Sequence, residues 1–330
     1  MGTQTAATAR PHGGGLFAHM PPVATFGPFI ALAIACIFFA FQSDRFLTGQ
    51  NFSLILQQVM VVGVVAIGQT LIILTAGIDL SCGMIMALGS IVMTKFAVDL
   101  GMNPFLAILC GLLVCVAFGF LNGALVTYVR LPPFIVTLGT LNIAFAITQI
   151  YSKSQTISGL PDAMLFLGNT FRIGETSVTY GTVLMLVLYL ITWFVLRETA
   201  PGRHVYALGN NPEAARLMGI PARRMLVGIY TIAGLIYGIA ALLLVARTNV
   251  GDPQAGQTDN LESITAVVLG GTSLFGGRGM ILGTLIGALI IGVIRNGLTL
   301  MGVPSVYQIL ITGILVILAV ATDQMSRRKG

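Results

Sequence analysis

The chain has 330 residues, 56% of them hydrophobic and only 8% charged, with a mean hydropathy of +0.93 and a formal net charge of +6. Soluble domains carry about 25% charged residues, so this composition excludes a water-soluble fold: too little charge is present to cover a surface. The basic balance does not point to nucleic acid either, because Lys and Arg sit in short loops between apolar runs, the pattern of positive charge held on one side of a membrane.

Residues 1–22 are rich in Ala, Thr, Gly and His, show no apolar period and read as a disordered tail. Phe26–Phe41 is a first span; a cleaved signal is the alternative, but the polar leader is long and carries little charge. Apolar runs recur near 53–75, 84–98, 104–128, 132–151, 179–196, 225–247, 263–275, 280–300 and 305–322. The expectation is an all-α polytopic membrane protein with about ten transmembrane helices. The runs at 84–98 and 263–275 are short for a crossing, which takes about 20 residues. An even number of spans places both termini on one side. That side would hold eleven of the 17 Lys and Arg, so the termini, a 197–224 loop and a basic 323–330 tail are expected in the cytoplasm, within a 23–322 transmembrane domain. The polar 152–178 loop, with Lys153, Asp162, Arg172 and Glu175, then faces outward, beside Asp252, Asp259 and Glu262. Cys36, Cys82, Cys110 and Cys115 lie in or beside apolar runs without CxxC spacing, and read as packing residues rather than disulfides or metal ligands.

An internal echo organises the spans. Gly77, Leu80, Gly83, Met86, Leu88 and Gly89 recur as Gly271, Leu274, Gly277, Met280, Leu282 and Gly283 at one constant offset. In each copy an apolar run breaks at a Gly-rich turn and resumes, as in duplicated transporter bundles. Gly77, Asp79, Gly83, Gly271 and Gly277 are the residues expected to shape these breaks. An acidic group at membrane depth is a functional candidate, but Asp79, with Gly77 and Ser81 beside it, is read as the cap of the following helix. Gly119/Gly123 and Gly283/Gly287 have the spacing that lets helices approach closely.

Gly202–Ile220 is the one long polar, basic stretch inside the apolar chain. Asn211 can cap a short helix, Pro212 suits its first position, Glu213 favours the positive end of its dipole and Gly219 is a natural stop. Ala214, Ala215, Leu217 and Met218 give it a small apolar face, with Arg216 toward the far end. Such a helix outside the membrane either docks into a partner or lies on lipid headgroups. Among polar residues on the spans, Gln57, Gln58, Asn122, Asn142, Arg295, Asn296 and Gln308 are the candidates for lining a path; interhelical hydrogen bonding is the competing role for each.

Four stretches together resemble the membrane permease of bacterial ABC-type sugar importers of the ribose/xylose/fructose class: Thr75–Gly83 (TAGIDLSCG), Pro133–Leu141 (PFIVTLGTL), Gly202–Ile220 and Ala266–Gly279 (AVVLGGTSLFGGRG). The resemblance runs from about residue 45 onward; Cys82 replaces a small aliphatic residue, and the N-terminal tail lies outside the pattern. It implies an ABC importer permease fold in the bacterial inner membrane. It also implies a second permease copy, a cytoplasmic ATPase that holds ATP and Mg, and a periplasmic sugar-binding protein. The sugar would be a monosaccharide, with fructose-type permeases the closest likeness and ribose, xylose or mannose the others. Asn211 to Gly219 then resembles the coupling helix that sits in a cleft of the ATPase, with Ala214 and Ala215 allowing close approach and Glu213 and Arg216 orienting it.

No GxxxxGK[ST] phosphate loop is present, so the chain itself is expected to bind no cofactor and hydrolyse nothing. An ion-coupled secondary transporter would show paired carboxylates or His on the spans, where only Asp79 qualifies; a channel or a membrane enzyme would need a filter or a nucleophile–base pair, and neither signature is visible. An ABC permease for branched-chain amino acids is the nearest alternative, and its zwitterionic substrate would favour fixed charges along the path, which are scarce in the sequence.

Overall fold

The computed structural model describes residues 27–328. The expected disordered tail at 1–22 therefore lies outside the described residues. From the start, α1 (Gly27–Gln42), α2 (Gly49–Leu74), α3 (Cys82–Val98), α4 (Pro104–Ala124, prolonged by a π-helical turn Leu125–Val129) and α5 (Pro133–Ser152) follow one another. A four-residue helix α6 (Asp162–Leu165) and a hairpin of β1 (Thr170–Ile173) with β2 (Thr176–Thr179) lead into α7 (Tyr180–Glu198). The second half contains α8 (Ala200–Asn210), α9 (Pro212–Leu217), α10 (Ala222–Thr248), α11 (Asp259–Leu269), α12 (Ile281–Leu300) and α13 (Ser305–Arg328). Each apolar run expected to span contains a helix, although the run at 263–275 is helical only to Leu269. Among the described residues six helices, α2, α4 with its π turn, α5, α7, α10 and α12, are long and apolar enough to cross a membrane. α1, α3 and α13 carry shorter apolar runs, and α11 has 11 residues.

Local chemistry sets these boundaries. Thr48, Asn103 and Thr179 each accept a hydrogen bond at a helix start, and Pro104 and Pro133 fill first-turn positions where an N–H is dispensable. α11 begins at Asp259, before the apolar run at 263–275, and ends before it does, because Gly271 takes the left-handed conformation (φ +86°) that stops a helix. α13 stays helical through Arg328, into the 323–330 stretch.

α2 and α10 are largely buried and form the centre, while α4, α5 and α7 turn large apolar side chains such as Leu113, Phe120, Ile150 and Leu190 outward. An exposed apolar belt of this kind is stable only in lipid. A close crossing joins α4 to α10 through glycines: Gly119 lies against the Tyr230 carbonyl and Gly123 against Val227 Cα, while Gly234 faces the Cys115 carbonyl from the opposite side. Gly283 and Gly287 do the same for α12 against Gly270, just past the end of α11, and Ala266 within it. Both small-residue pairs read from the sequence thus mark close helix contacts.

The segment between α2 and α3 shows how an interrupted helix keeps its backbone satisfied. The carbonyls of Ile78, Asp79 and Leu80 accept from Thr137 Oγ1 (3.2 Å), Gln69 Nε2 (3.1 Å) and Asn260 Nδ2 (3.2 Å), on α5, α2 and α11. Non-helical backbone survives at membrane depth only where neighbours supply such partners. Asp79 Oδ1 accepts from the Ser81 amide (2.8 Å) and hydroxyl (2.5 Å), an Asx turn that fixes the break. The N-cap of α3 is Ser81, not Asp79. The second break is longer, Gly270–Met280 against Thr75–Ser81, so Gly83 sits inside α3 whereas Gly277 remains in the turn at φ +72°.

The 152–178 stretch is not a bare connector. Met164 is fully buried, Gly168 packs on the Ala246 carbonyl, and Ile157 and Gly251 exchange backbone hydrogen bonds of 2.8 and 2.9 Å. Thr170 pairs with Thr179 and Ile173 with Thr176 in the hairpin, whose Glu175 backbone covers Gly49 at the start of α2.

Candidate functional site

Two regions collect the residues with functional potential, and α2 links them: its start lies beside the hairpin and its end beside α8. At that second end, Thr199 Oγ1 accepts from the Gly202 amide to start α8, and Asn211 ends α8 in an extended conformation. The same Asn211 starts α9, its Oδ1 accepting from Ala214 N at 3.0 Å, with Pro212 and Glu213 in the first turn and Arg216 in the last. Gly219 at φ +81° closes the segment. The sequence reading placed a short helix here correctly in extent, and missed α8 before it. It also assigned Ala215 to the outer face. Ala215 is only 4% exposed and holds α9 to the body of the protein, whereas Leu217 (82%) and Met218 (84%) stand free. On a hexapeptide helix the i and i+3 positions share a face, so Ala214 and Leu217 point away together, flanked by exposed Glu213 and Arg216. Tyr206 of α8 is half-buried; burial pushes its phenol above the ordinary range, and as a neutral group it donates to the Gly279 carbonyl at 3.1 Å.

Toward the start of α2, a cavity of about 330 Å³ is lined by Gln57 and Gln58 of α2, Arg247 of α10, Asp259 and Glu262 of α11 and Arg295 of α12, with Gly292 and Ile291 completing an apolar wall. That volume falls in the range of small-molecule sites, about 300–1,000 Å³. One guanidinium nitrogen of Arg295, Nη1, donates to both carboxylate oxygens of Glu262 at 2.9 and 3.0 Å, tying α12 to α11. Arg247 donates to the Gln57 carbonyl at 3.4 Å. Two cations and two carboxylates converging on a membrane cavity cost desolvation unless paired, and Glu262, 6% exposed, is paired. These groups form an array of alternating donors and acceptors suited to polyhydroxylated or zwitterionic molecules.

Three of the seven path candidates, Gln57, Gln58 and Arg295, therefore meet in one cavity. Gln308 lines the adjoining one, where its Nε2 donates to Val303 O (3.0 Å) and Thr299 Oγ1 (3.2 Å). Asn122 is buried and donates to Ser81 Oγ at 3.0 Å, bracing the first break. Asn296 is buried in α12, and Asn142 is exposed on the outer face of α5, its amide bonded only within its own helix, to Leu138 O at 3.0 Å. Sequence reasoning missed Arg247 as a cavity residue and placed Asp259 and Glu262 beside the outward-facing 152–178 loop. The buried Glu262 cannot serve as a surface contact, and the fixed charges judged scarce along the spans are in fact gathered here. No group of three or more potential metal ligands occurs among the described residues.

Helices long and apolar enough to cross a membrane, two glycine-rich interruptions and a polar helix pair fit a multi-pass membrane protein. Residues 51–320 match the family described as the branched-chain amino acid transport system permease component, and the chain belongs to that family. It is thus a transport subunit rather than a catalyst. It is 48% identical over 318 residues to the fructose import permease protein of Rhizobium meliloti, covering 94% of this chain and 88% of that one. Identity to the ribose import permease protein of Bacillus subtilis is 41% over 300 residues (90% and 92% of the two chains). To the D-allose transport system permease protein of Escherichia coli it is 37% over 302 residues (91% of each).

Proposed function

We propose that this chain is the membrane-spanning permease of an ATP-driven importer for a monosaccharide, fructose first among the candidates. The observation that carries the reading is identity of 37–48% across about nine-tenths of the chain to import permeases named for fructose, ribose and allose. Although the family description mentions branched-chain amino acids, these relatives take sugars, and their names support a sugar over a zwitterion. In this reading α9 is the contact with a cytoplasmic ATPase that holds ATP and Mg, so the α8–α9 end and both termini face the cytoplasm, and the β1–β2 hairpin faces a periplasmic sugar-binding protein. Leu217 and Met218 supply the apolar contact, and Glu213 and Arg216 set its orientation through exposed ion pairs. Two copies of the chain form the path together, and the exposed Asn142, a polar group on an otherwise apolar face of α5, is covered by the second copy rather than by lipid. The Gln57–Gln58–Arg295 cavity, with Gln308 beside it, receives the sugar during passage, while Asn122 and Asn296 serve the interior packing of the path walls.

The switch between inward and outward exposure draws its energy from different contacts of α9 with the ATP-bound and ATP-free ATPase. Because Leu217 and Met218 are exposed, replacing both with glutamate leaves the fold intact. The double variant is expected to reach the membrane in normal amount yet to lose the ATPase on mild-detergent purification; stoichiometric ATPase retained on it would refute the α9 assignment.

A further inference from the structure

Three stretches of chain far apart in sequence meet backbone to backbone directly behind α9. Leu74, the last residue of α2, accepts the amide of Gly277 at 2.9 Å. Gly209, two residues before the α9 cap, lies so close that a Cβ on it would overlap the Leu74 carbonyl oxygen and come within 2.6 Å of Gly277 N. A Cβ on Gly277 would meet Asn210 Cα at 2.8 Å, and one on Gly276 would meet Ala76 N at 2.7 Å and Gly209 O at 3.0 Å. The Tyr206 hydroxyl adds a bond to Gly279 O at 3.1 Å. The end of α2 and the second interrupted segment, Gly270–Met280, are therefore clamped to the α8–α9 joint almost wholly backbone to backbone, and the first interrupted segment, Thr75–Ser81, is held to the second where Ala76 meets Gly276.

We propose that this three-way glycine contact passes the displacement of α9 to the walls of the cavity, with Gly209, Gly277 and Tyr206 as positioning residues for transport. A contact made through side chains can yield by changing rotamers; one made between backbones cannot, so movement at Asn210–Asn211 is delivered undiminished. From the clamp, α2 leads to Gln57 and Gln58, and the Gly270–Met280 turn leads through α12 to Arg295. The two helices are joined close to the clamp by the Thr70–Thr284 hydroxyl pair at 2.9 Å, so they carry the displacement together. The α11 end of the turn is locked to α12 by Gly270 against Gly283, and its far end by Glu262 on Arg295. The proposal rests on α9 being the ATPase contact and adds to it the route by which that contact reaches the path.

The test uses the full complex of this chain with its ATPase and binding protein in proteoliposomes, read as sugar imported per ATP hydrolysed. Tyr206→Phe removes one hydrogen bond and no volume; it should leave assembly, melting temperature and ATP hydrolysis near wild type while lowering the ratio about fivefold, the worth of a typical hydrogen bond. Gly209→Ala should uncouple more strongly. Gly228→Ala, where a Cβ meets nothing within 4 Å, is the control and should transport normally. If Gly209→Ala fails to assemble, Tyr206→Phe still decides the matter. A wild-type ratio in Tyr206→Phe overturns this proposal alone, provided assembly still depends on Leu217 and Met218; assembly that survives the change at those two residues overturns the α9 assignment and this route with it.

Discussion

Gly234→Leu is expected to cost the permease its folded state in ordinary detergents, lowering the melting temperature by about 10 °C or more. Transmembrane helices gain little from burying apolar surface against one another, because lipid is equally apolar; close packing holds them together. At the α4–α10 crossing that closeness is extreme. A methyl on Gly234 would overlap the Cys115 carbonyl oxygen and approach Gly119 Cα to 3.1 Å, while one on Gly119 would overlap the Tyr230 carbonyl from the other side. Backbone meets backbone, so no rotamer relieves the clash and the helices must separate. That exposes Tyr230 and Tyr237, both buried at the centre. Gly228→Leu on the same helix, six residues earlier and facing open space, should melt like the wild type. Equal melting of the two variants would contradict this account of the core.

Glu262→Ala is the second large effect, because it strikes stability and transport together. Removing one partner of a buried pair costs about 3–5 kcal/mol, and Arg295, with a side chain 49% exposed, recovers part of that through solvent, leaving about 1–3 kcal/mol. Loss of the carboxylate also leaves Arg295 and Arg247 facing one cavity with only Asp259 to balance them. Glu262→Gln keeps one acceptor and should destabilise less. The informative variant is Glu262→Ala combined with Arg295→Met, which removes both charges and restores the melting temperature. If the cavity receives the sugar, this double variant folds, assembles and still fails to import. Normal import by it would move the path elsewhere and leave the pair as a fastener of α11 to α12.

Much of this arrangement is legible in the amino-acid order. Runs such as 104–128 and 280–300 give their helices within a few residues, since lipid imposes length and apolarity on any span. Gly119/Gly123 and Gly283/Gly287 identify real contacts, and Asn211, Pro212 and Gly219 delimit α9 because capping is local chemistry. What was not legible depends on packing. α8 contains Gly202 and Gly209, which read as breakers until their close approaches to Leu196 and Leu74 are seen. The hairpin at Thr170–Thr179 is too short for an alternating pattern to stand out. Ala215 and Ala214 are chemically identical, and only the position of the body beneath α9 decides which one is buried. The convergence of Arg247, Asp259, Glu262 and Arg295 joins residues on three helices, and no spacing in the sequence encodes it. The echo between the two breaks predicted their likeness but not that they meet at Ala76 and Gly276, or that the second is fastened to α8.

The most direct test of the central claim is sugar uptake by proteoliposomes containing this chain with its ATPase, supplied with the binding protein, fructose and ATP. The account predicts uptake that requires ATP hydrolysis, requires the binding protein and disappears in the Leu217→Glu, Met218→Glu variant. Uptake by this chain alone, driven by an ion gradient and indifferent to ATP, would contradict it.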